Sequence, residues 1–126
     1  MTGNGIRTIL VVEDFADSRR LLSSLLRAKG YKVVEAADGG EGVLQAKRVR
    51  PDLILMDLAM PRLDGVEATR QLRQWQTLAR VPIFAISAYA SHDVTQDALA
   101  AGCTEVFPKP LEIKNLLGRI EAALGA

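Results

Sequence analysis

The chain has 126 residues, of which 48% are hydrophobic and 25% are charged, a composition that is ordinary for one globular domain. Its 16 lysines and arginines nearly balance its 15 aspartates and glutamates, which argues against a dedicated nucleic-acid surface. The sequence has no apolar run of membrane-spanning length, no signal peptide and a single cysteine, so we expect a cytoplasmic protein without membrane contact.

Five short apolar runs in the sequence predict β-strands. In chain order they are Thr8–Val12, Val33–Ala36, Leu53–Met56, Ile83–Ile86 and Glu105–Phe107. The first, third and fourth runs are almost continuously apolar, as is typical of strands that are buried on both faces of a sheet.

Hydrophobic residues at helical spacing follow each of these runs and predict five helices. In chain order the residues that mark them are Leu21, Leu22, Leu25 and Leu26; Val43, Leu44 and Val49; Ala68, Leu72 and Trp75; Val94, Ala98 and Ala101; and Ile113, Leu116, Leu117, Ile120 and Leu124. The first, second and fourth helices are expected to end at Gly30, Pro51 and Gly102. Ser91 is expected to cap the start of the fourth helix.

A strand followed by a helix, repeated five times, predicts a parallel five-stranded sheet with right-handed crossovers and helices on both faces. We therefore expect one α/β domain over residues 1–126, with its core at about 7–124 and no output domain. Periodicity leaves two strand orders open. In either order, ligands bind beyond the carboxyl ends of the strands.

Acidic, hydroxyl and basic side chains stand where the predicted strands end. Glu13 and Asp14 follow the first strand, and Asp57 follows the third. Ser87 follows the fourth strand, and Lys109 lies just beyond the last. Because the carboxyl ends of parallel strands meet at one edge of a sheet, we expect these side chains to converge.

The chemistry of such a convergence favours a metal ion. Three carboxylates repel one another by roughly 3 kcal/mol per pair at about 5 Å and an effective dielectric constant of about 20. Raised carboxyl pKa values or a bound cation would offset this repulsion, and carboxylate oxygens suit Mg²⁺ or Mn²⁺. A metal ion, the Lys109 amine and the Ser87 hydroxyl around Asp57 would stabilise transfer of a phosphoryl group onto that carboxylate.

Four segments of the sequence carry a more specific pattern. They are Val11–Asp14, Leu55–Gly65, Ser87–Ala88 and Phe107–Pro110. In this order and at these separations they resemble the response-regulator receiver family of two-component signalling, and the resemblance extends from about Thr8 to Leu124. It implies a single (βα)5 flavodoxin-like domain whose parallel sheet has the strand order 2-1-3-4-5.

The resemblance assigns roles in phosphoryl and metal binding. It implies that Asp57 is the phosphoacceptor. Asp14 matches a direct ligand of Mg²⁺ or Mn²⁺, and Glu13 matches an acidic neighbour that binds the ion through water. The family's third protein ligand is a backbone carbonyl two residues after the acceptor, which is that of Ala59 here.

The resemblance also implies a switch. Ser87 matches the hydroxyl that hydrogen-bonds the phosphoryl group, and Lys109 matches the basic residue that pairs with it. Phe107 matches the aromatic switch position on the last strand, where burial rather than a hydroxyl would bias the rotamer. A separate hypothesis concerns the lifetime of the phosphoryl group. Ala59 offers no side chain to place an attacking water and Tyr89 would screen the approach, so we expect slow autodephosphorylation.

By this resemblance the chain is a phosphoacceptor switch with self-catalysed phosphorylation and dephosphorylation, and it is not an enzyme. A histidine kinase or a histidine phosphotransfer protein would donate the phosphoryl group in a Mg²⁺-dependent reaction. The last two helices and the last strand would then control a downstream protein. We expect a monomer or a weak phosphorylation-dependent dimer, with no direct contact to nucleic acid.

Other interpretations of the same residues stay open. The chain is equally consistent with a receiver module of a hybrid histidine kinase or of a larger regulator. A phosphohydrolase with an aspartyl nucleophile is disfavoured, because such enzymes commonly carry a second Asp where this chain has Ala59. A flavin-binding protein is disfavoured because Glu13 and Asp14 would repel the flavin phosphate.

Several residues also have purely structural interpretations. Asp14 taken alone would be a helix cap, Trp75 would serve in packing and not in stacking on a ligand, and Cys103 would be a small buried residue. Solvated helix faces are predicted for the arginines Arg19, Arg20, Arg70 and Arg73.

Overall fold

Strands and helices alternate along the chain in a computed structural model that describes residues 5–60, 64–88 and 91–125. Within these residues the strands are β1 (Thr8–Val12), β2 (Lys32–Ala36), β3 (Leu53–Asp57), β4 (Ile83–Ser87) and β5 (Glu105–Pro108). The helices are α1 (Ala16–Ala28), α2 (Gly39–Val49), α3 (Gly65–Arg73), α4 (His92–Ala101) and α5 (Ile113–Leu124), with a short 3₁₀ helix at Gln76–Leu78. None of the helices in the described ranges is long and apolar enough to cross a membrane.

The five strands are parallel and hydrogen-bond in the order β2-β1-β3-β4-β5. β1 lies between β2 and β3, with Ile9 beside Val33 on one side and beside Leu53 on the other. The strand order implied by the resemblance is therefore confirmed. It places the carboxyl ends of β1 and β3 side by side.

Alternate residues of each strand face two separate hydrophobic layers, because successive side chains of a strand point to opposite faces. In β1, Ile9 and Val11 point to the layer that α1 and α5 cover. Leu10 and Val12 point to the layer that α2, α3 and α4 cover. The nearly continuous apolar character of β1, β3 and β4 follows from this burial on both faces, as predicted.

Polar residues extend the strands beyond their apolar runs. β3 and β4 end at Asp57 and Ser87, one residue later than predicted, because Asp57 still pairs with Ile86 and Ser87 with Pro108. β2 also starts one residue earlier, at Lys32. A hydrophobic pattern reports on side chains, whereas membership of a strand depends on backbone pairing. Two of the candidate site residues therefore lie on the sheet itself.

The predicted helix ends agree with the structure. Gly30 and Gly102 follow α1 and α4 with φ angles of +95° and +119°, a backbone conformation that glycine tolerates best. Ser91 accepts a hydrogen bond from the Val94 N–H and caps α4. The end of α2 has Arg50 in the left-handed conformation immediately before Pro51.

Three large apolar side chains that mark the predicted helices lie outside the core. Leu21 and Leu44 are 60% and 66% exposed, because the face of a helix that meets the sheet is narrower than these apolar runs. Trp75 is 46% exposed and follows the end of α3, so it does not lie on the helix that it was predicted to mark. Its ring instead lies 4.1 Å from Lys47 Nζ in a cation–π contact. Cys103 is buried, as predicted.

Arg73 does not lie on a solvated face, contrary to the prediction. Its guanidinium donates hydrogen bonds of 2.7–3.0 Å to the backbone carbonyls of Gly102, Leu78 and Val81. Burial lowers the pKa of Arg73. Arg70, one helical turn earlier, is exposed as predicted. Helical spacing alone does not distinguish the two residues, because the carbonyls that bind Arg73 belong to other segments.

Candidate functional site

The carboxyl ends of β1, β3, β4 and β5 bring the candidate residues to one edge of the sheet. Glu13 directly follows β1, Asp57 ends β3, Ser87 ends β4, and Lys109 directly follows β5. Glu13, Asp57 and Ser87 are almost completely buried, whereas Asp14 is exposed. The structure thus places two acidic side chains and a hydroxyl inside the protein at the rim of the sheet.

Glu13, Asp14 and Asp57 form an acidic cluster. Each contributes one carboxylate oxygen, and these oxygens lie within 4.8 Å of one another. The pKa of Glu13 is raised from its ordinary value of 4.5 to about 7, mainly by burial and further by a hydrogen bond with Asp57. Without a cation, the cluster therefore tends to retain a proton near neutral pH.

Lys109 supplies positive charge beside this cluster. Its Nζ lies 3.4 Å from Asp57 Oδ2 and 3.5 Å from Glu13 Oε1. Burial lowers the pKa of Lys109, but the attraction of Asp57 and Glu13 outweighs this effect and raises the pKa above its ordinary value. Lys109 therefore carries a positive charge at neutral pH.

The donor set fits a divalent cation. With every group ionised, the three carboxylates of the cluster and the one ammonium of Lys109 leave a formal charge of −2. A bound ion of charge +2 would neutralise this excess. Carboxylate oxygens with room for water and phosphate oxygens are the ligands that Mg²⁺ prefers.

The backbone after β3 orients the carboxylate of Asp57. The Ala59 N–H donates a hydrogen bond of 3.0 Å to Asp57 Oδ1, while Oδ2 faces Lys109. The two oxygens of Asp57 therefore have different partners. The role of the Ala59 carbonyl as a metal ligand stays a prediction.

Asp14 is not the cap of α1, and that interpretation is wrong. Phe15 occupies the N-cap position and makes no side-chain cap hydrogen bond. Glu13 Oε2 instead accepts a hydrogen bond of 3.2 Å from the Phe15 N–H. Asp14 precedes the cap and presents its carboxylate to the acidic cluster.

Arg19 contacts the site, although sequence reasoning placed it on a solvated face. Its guanidinium donates hydrogen bonds to the Glu13 carbonyl at 2.9 Å and to the Asp14 carbonyl at 3.5 Å. It also donates to Glu35 Oε1 at 3.1 Å. The sequence contains one indication of this contact, the position of Arg19 five residues after Asp14. Helical side chains point towards the amino end of their helix, so Arg19 points towards the residues that precede α1.

The two residues predicted to form the switch, Ser87 and Phe107, lie within the described part of the chain. Phe107 is buried, and its ring centroid lies 5.2 Å from that of Phe84. Ser87 lines a cavity of about 210 Å³ beside the starts of α3 and α4. Tyr89, with its predicted role in screening the phosphoryl group, lies outside the described residues.

Gly65 allows α3 to begin against the end of β3. A Cβ at this position would overlap the backbone carbonyl of Asp57 and would lie 2.8 Å from Leu58 Cα. We expect Gly65→Ala to lower the free energy of unfolding in urea by about 2 kcal/mol, as overpacking does. Gly118→Ala is the matched control, because a Cβ there has no neighbour within 4 Å and a helix interior gains roughly 0.5–1 kcal/mol from alanine. Equal stability changes in the two variants would contradict the close approach.

Proteins of similar sequence are response regulators. A family model described as the response regulator receiver domain matches residues 9–121. The chain is 37% identical over 119 residues to the transcriptional regulatory protein PdtaR of Mycobacterium tuberculosis, covering 94% of this chain and 57% of PdtaR. It is 30% identical over 119 residues to the polar-differentiation response regulator DivK of Brucella anthropi, covering 94% of this chain and 97% of DivK. The chain thus spans little more than half of the first relative and nearly all of the second.

Solved structures with the same fold include a receiver with a bound metal. The receiver domain of the sensor histidine kinase PA1611 from Pseudomonas aeruginosa superposes with a TM-score of 0.89 at 36% identity, covering 97% of this chain and all of that one. That structure has a magnesium ion coordinated in its active-site cleft. The chemotaxis protein CheY4 of Vibrio cholerae gives a TM-score of 0.90 at 29% identity, covering 94% of this chain and 99% of that one.

Proposed function

The chain belongs to the response regulator receiver domain family of two-component signalling, and from this premise we propose that it accepts a phosphoryl group on Asp57. The proposed donor is the phosphohistidine of a histidine kinase or of a histidine phosphotransfer protein. The observation that carries the proposal is the position of Asp57, which is buried at the end of β3, 3.4 Å from Lys109 Nζ and within an acidic cluster.

In the proposed reaction a carboxylate oxygen of Asp57 attacks phosphorus while the phosphorus–nitrogen bond of the phosphohistidine breaks. The bonding electron pair returns to the imidazole, which takes a proton from solvent. Lys109 offsets the negative charge on the transferring oxygens, and the Ser87 hydroxyl donates a hydrogen bond to one of them. The Ala59 N–H holds Asp57 through Oδ1 during the transfer.

Glu13, Asp14, Asp57 and the Ala59 carbonyl would hold Mg²⁺ or Mn²⁺, with Glu13 acting through water. The formal charge of −2 that these groups and Lys109 carry together when all are ionised supports this assignment. When bound, the ion supplies positive charge that offsets the repulsion between these carboxylates and the incoming phosphoryl group.

We further propose that phosphorylation changes the surface formed by α4, β5 and α5. The new phosphoryl oxygens attract the Ser87 hydroxyl, and Phe107 moves with it into the space that Ser87 and its loop vacate. A downstream protein would bind this altered surface. Phe107 is already buried in the present structure, so the proposed response is a shift of a buried ring and not the burial of an exposed one.

The domain would act as a phosphoacceptor switch that catalyses its own phosphorylation and dephosphorylation, rather than as an enzyme. We propose that residues 1–126 are one receiver domain, monomeric or weakly dimeric when phosphorylated, in the cytoplasm. The domain is either a short regulator or a receiver module of a larger protein, and both possibilities stay open. DivK, matched over 97% of its length, represents a short regulator, whereas the PA1611 receiver comes from a sensor histidine kinase.

The test of the proposed function is intact mass spectrometry after incubation with acetyl phosphate, with and without Mg²⁺. We expect a gain of one phosphoryl group, roughly 80 Da, only when Mg²⁺ is present and only with Asp57 intact. Asp57→Asn is the matched variant, because it keeps the shape of the side chain and removes the nucleophilic carboxylate. An equal mass gain in Asp57→Asn would contradict the assignment of the phosphoacceptor. If no sample gains mass with acetyl phosphate, the experiment is repeated with a phosphorylated histidine phosphotransfer protein as donor. No mass gain with either donor would contradict the proposed function.

The lifetime of the phosphoryl group tests the proposed screening by Tyr89. Tyr89→Ala is expected to lose its phosphoryl group faster than the wild type, because a smaller side chain leaves the phosphorus more open to water. The rate is measured as the decay of the phosphorylated mass after removal of acetyl phosphate. Slower or equal decay in Tyr89→Ala would exclude the screening role.

A further inference from the structure

Arg19 contacts the backbone of the acidic loop, residues 13–15 between β1 and α1. Its Nη1 lies 2.9 Å from the Glu13 carbonyl and 3.5 Å from the Asp14 carbonyl. Its Nε lies 3.1 Å from Glu35 Oε1 on β2, and the Arg19 side chain is only 16% exposed. The planar guanidinium therefore joins the loop between β1 and α1 to the neighbouring strand.

The loop has few other restraints where its two acidic residues lie. The Glu13 N–H donates to the Ala36 carbonyl at 3.1 Å, which continues the pairing of β1 with β2. The N-cap residue of α1, Phe15, has no side-chain cap hydrogen bond, and its N–H is bound by the Glu13 carboxylate itself. Arg19 adds hydrogen bonds to two successive carbonyls of this loop. These bonds limit the rotation of the peptide units that carry the Glu13 and Asp14 side chains.

We propose that Arg19 is a positioning residue for the metal site: it holds the loop after β1 so that the carboxylates of Glu13 and Asp14 face the same ion. This inference rests on the proposed Mg²⁺-dependent function and deepens it. Residues behind the ligands of a metal site commonly change metal affinity by about 10–100-fold when they are replaced.

The charge of Arg19 makes the proposal testable by the sign of the effect. An arginine acting only through its charge would repel Mg²⁺, so its removal would strengthen metal binding. A positioning role predicts the opposite, because the loop loses its hydrogen bonds to the two carbonyls. A role confined to folding predicts lower stability with unchanged Mg²⁺ affinity in the folded protein.

The experiment is calorimetric titration of Mg²⁺ into the wild type, Arg19→Ala, Arg19→Lys and Arg20→Ala at one pH and ionic strength. We expect Arg19→Ala to bind Mg²⁺ about tenfold more weakly than the wild type. Arg19→Lys keeps the charge but lacks the planar fork that reaches a carbonyl and Glu35 together, so it should also bind more weakly. Arg20→Ala is the control, because Arg20 is the exposed neighbour on the same helix. It should keep the wild-type affinity.

Urea unfolding without metal shows whether each variant is folded at the temperature of the titration. If Arg19→Ala is not folded, Arg19→Lys decides the question. Wild-type or tighter Mg²⁺ binding by Arg19→Lys, or by a folded Arg19→Ala, would overturn the positioning role while leaving the proposed function intact. Absence of Mg²⁺ binding in the wild type would instead overturn the metal site and this inference together.

Discussion

Replacement of Lys109 by methionine is expected to slow the phosphorylation of Asp57 roughly 10²–10³-fold, the usual effect of removing one group that stabilises charge in a transition state. Methionine keeps the length and apolar character of the side chain but removes its ammonium group. The affected contact is the one between Lys109 Nζ and Asp57 Oδ2 at 3.4 Å. The rate is measured as the mass gain with time in acetyl phosphate at saturating Mg²⁺.

Lys114→Met is the matched control for this variant. Lys114 is an exposed lysine in α5 that does not pair with the carboxylates of the acidic cluster, so its replacement removes the same charge from the molecule. We expect it to be phosphorylated at the wild-type rate. A wild-type rate in Lys109→Met would show that the amine does not act on the phosphoryl group, and equal slowing in both variants would indicate an effect of net charge alone.

The free energy of unfolding of the metal-free protein is expected to fall as pH rises between about 4.5 and about 7, the ordinary and folded-state pKa values of Glu13. In this window the folded protein retains a proton on Glu13 that the unfolded chain has released. Because the folded state binds more protons, stability decreases with rising pH. The difference between the two pKa values corresponds to roughly 3 kcal/mol at most. Urea denaturation at pH 5 and at pH 8 measures the change in the free energy of unfolding.

Glu13→Gln isolates this contribution, because glutamine keeps the size of the side chain and does not titrate. The loss of stability between pH 5 and pH 8 should be smaller in Glu13→Gln than in the wild type. Mg²⁺ should stabilise the wild type more at pH 8 than at pH 5, since protons and the metal ion compete for the same carboxylates. The same pH dependence in both proteins would contradict the raised pKa of Glu13.

The arginines show most clearly where sequence reasoning failed. Arg19 and Arg73 are charged residues within predicted helices, and the prediction for both is a solvated face. In the structure each guanidinium donates hydrogen bonds to backbone carbonyls outside its own helix. Every backbone carbonyl in the chain is an acceptor, so a sequence does not indicate which of them lacks a partner until the helices are packed.

The sequence predicts where the strands end better than it predicts the burial of the side chains at those ends. Asp57 and Ser87 each lie one residue beyond an apolar run, and the fold places both at the same edge of the sheet. The near-complete burial of Glu13 was not predictable in the same way. The Glu13 carboxylate lies beside Lys109 and Asp57, which are 96 and 44 residues away along the chain.

The amino-acid sequence alone predicts the alternation of five strands with five helices, the burial of the central strands on both faces, and membership of the receiver family. These features depend on local periodicity and on short segments, which a linear pattern contains completely. Three features of the site depend on how the helices and strands pack. They are the raised pKa of Glu13, the pairing of Lys109 with two carboxylates, and the hydrogen bonds of Arg19 to the acidic loop. Each of these requires groups from separate elements to lie within hydrogen-bonding or Coulombic range, and packing of the helices and strands sets those distances.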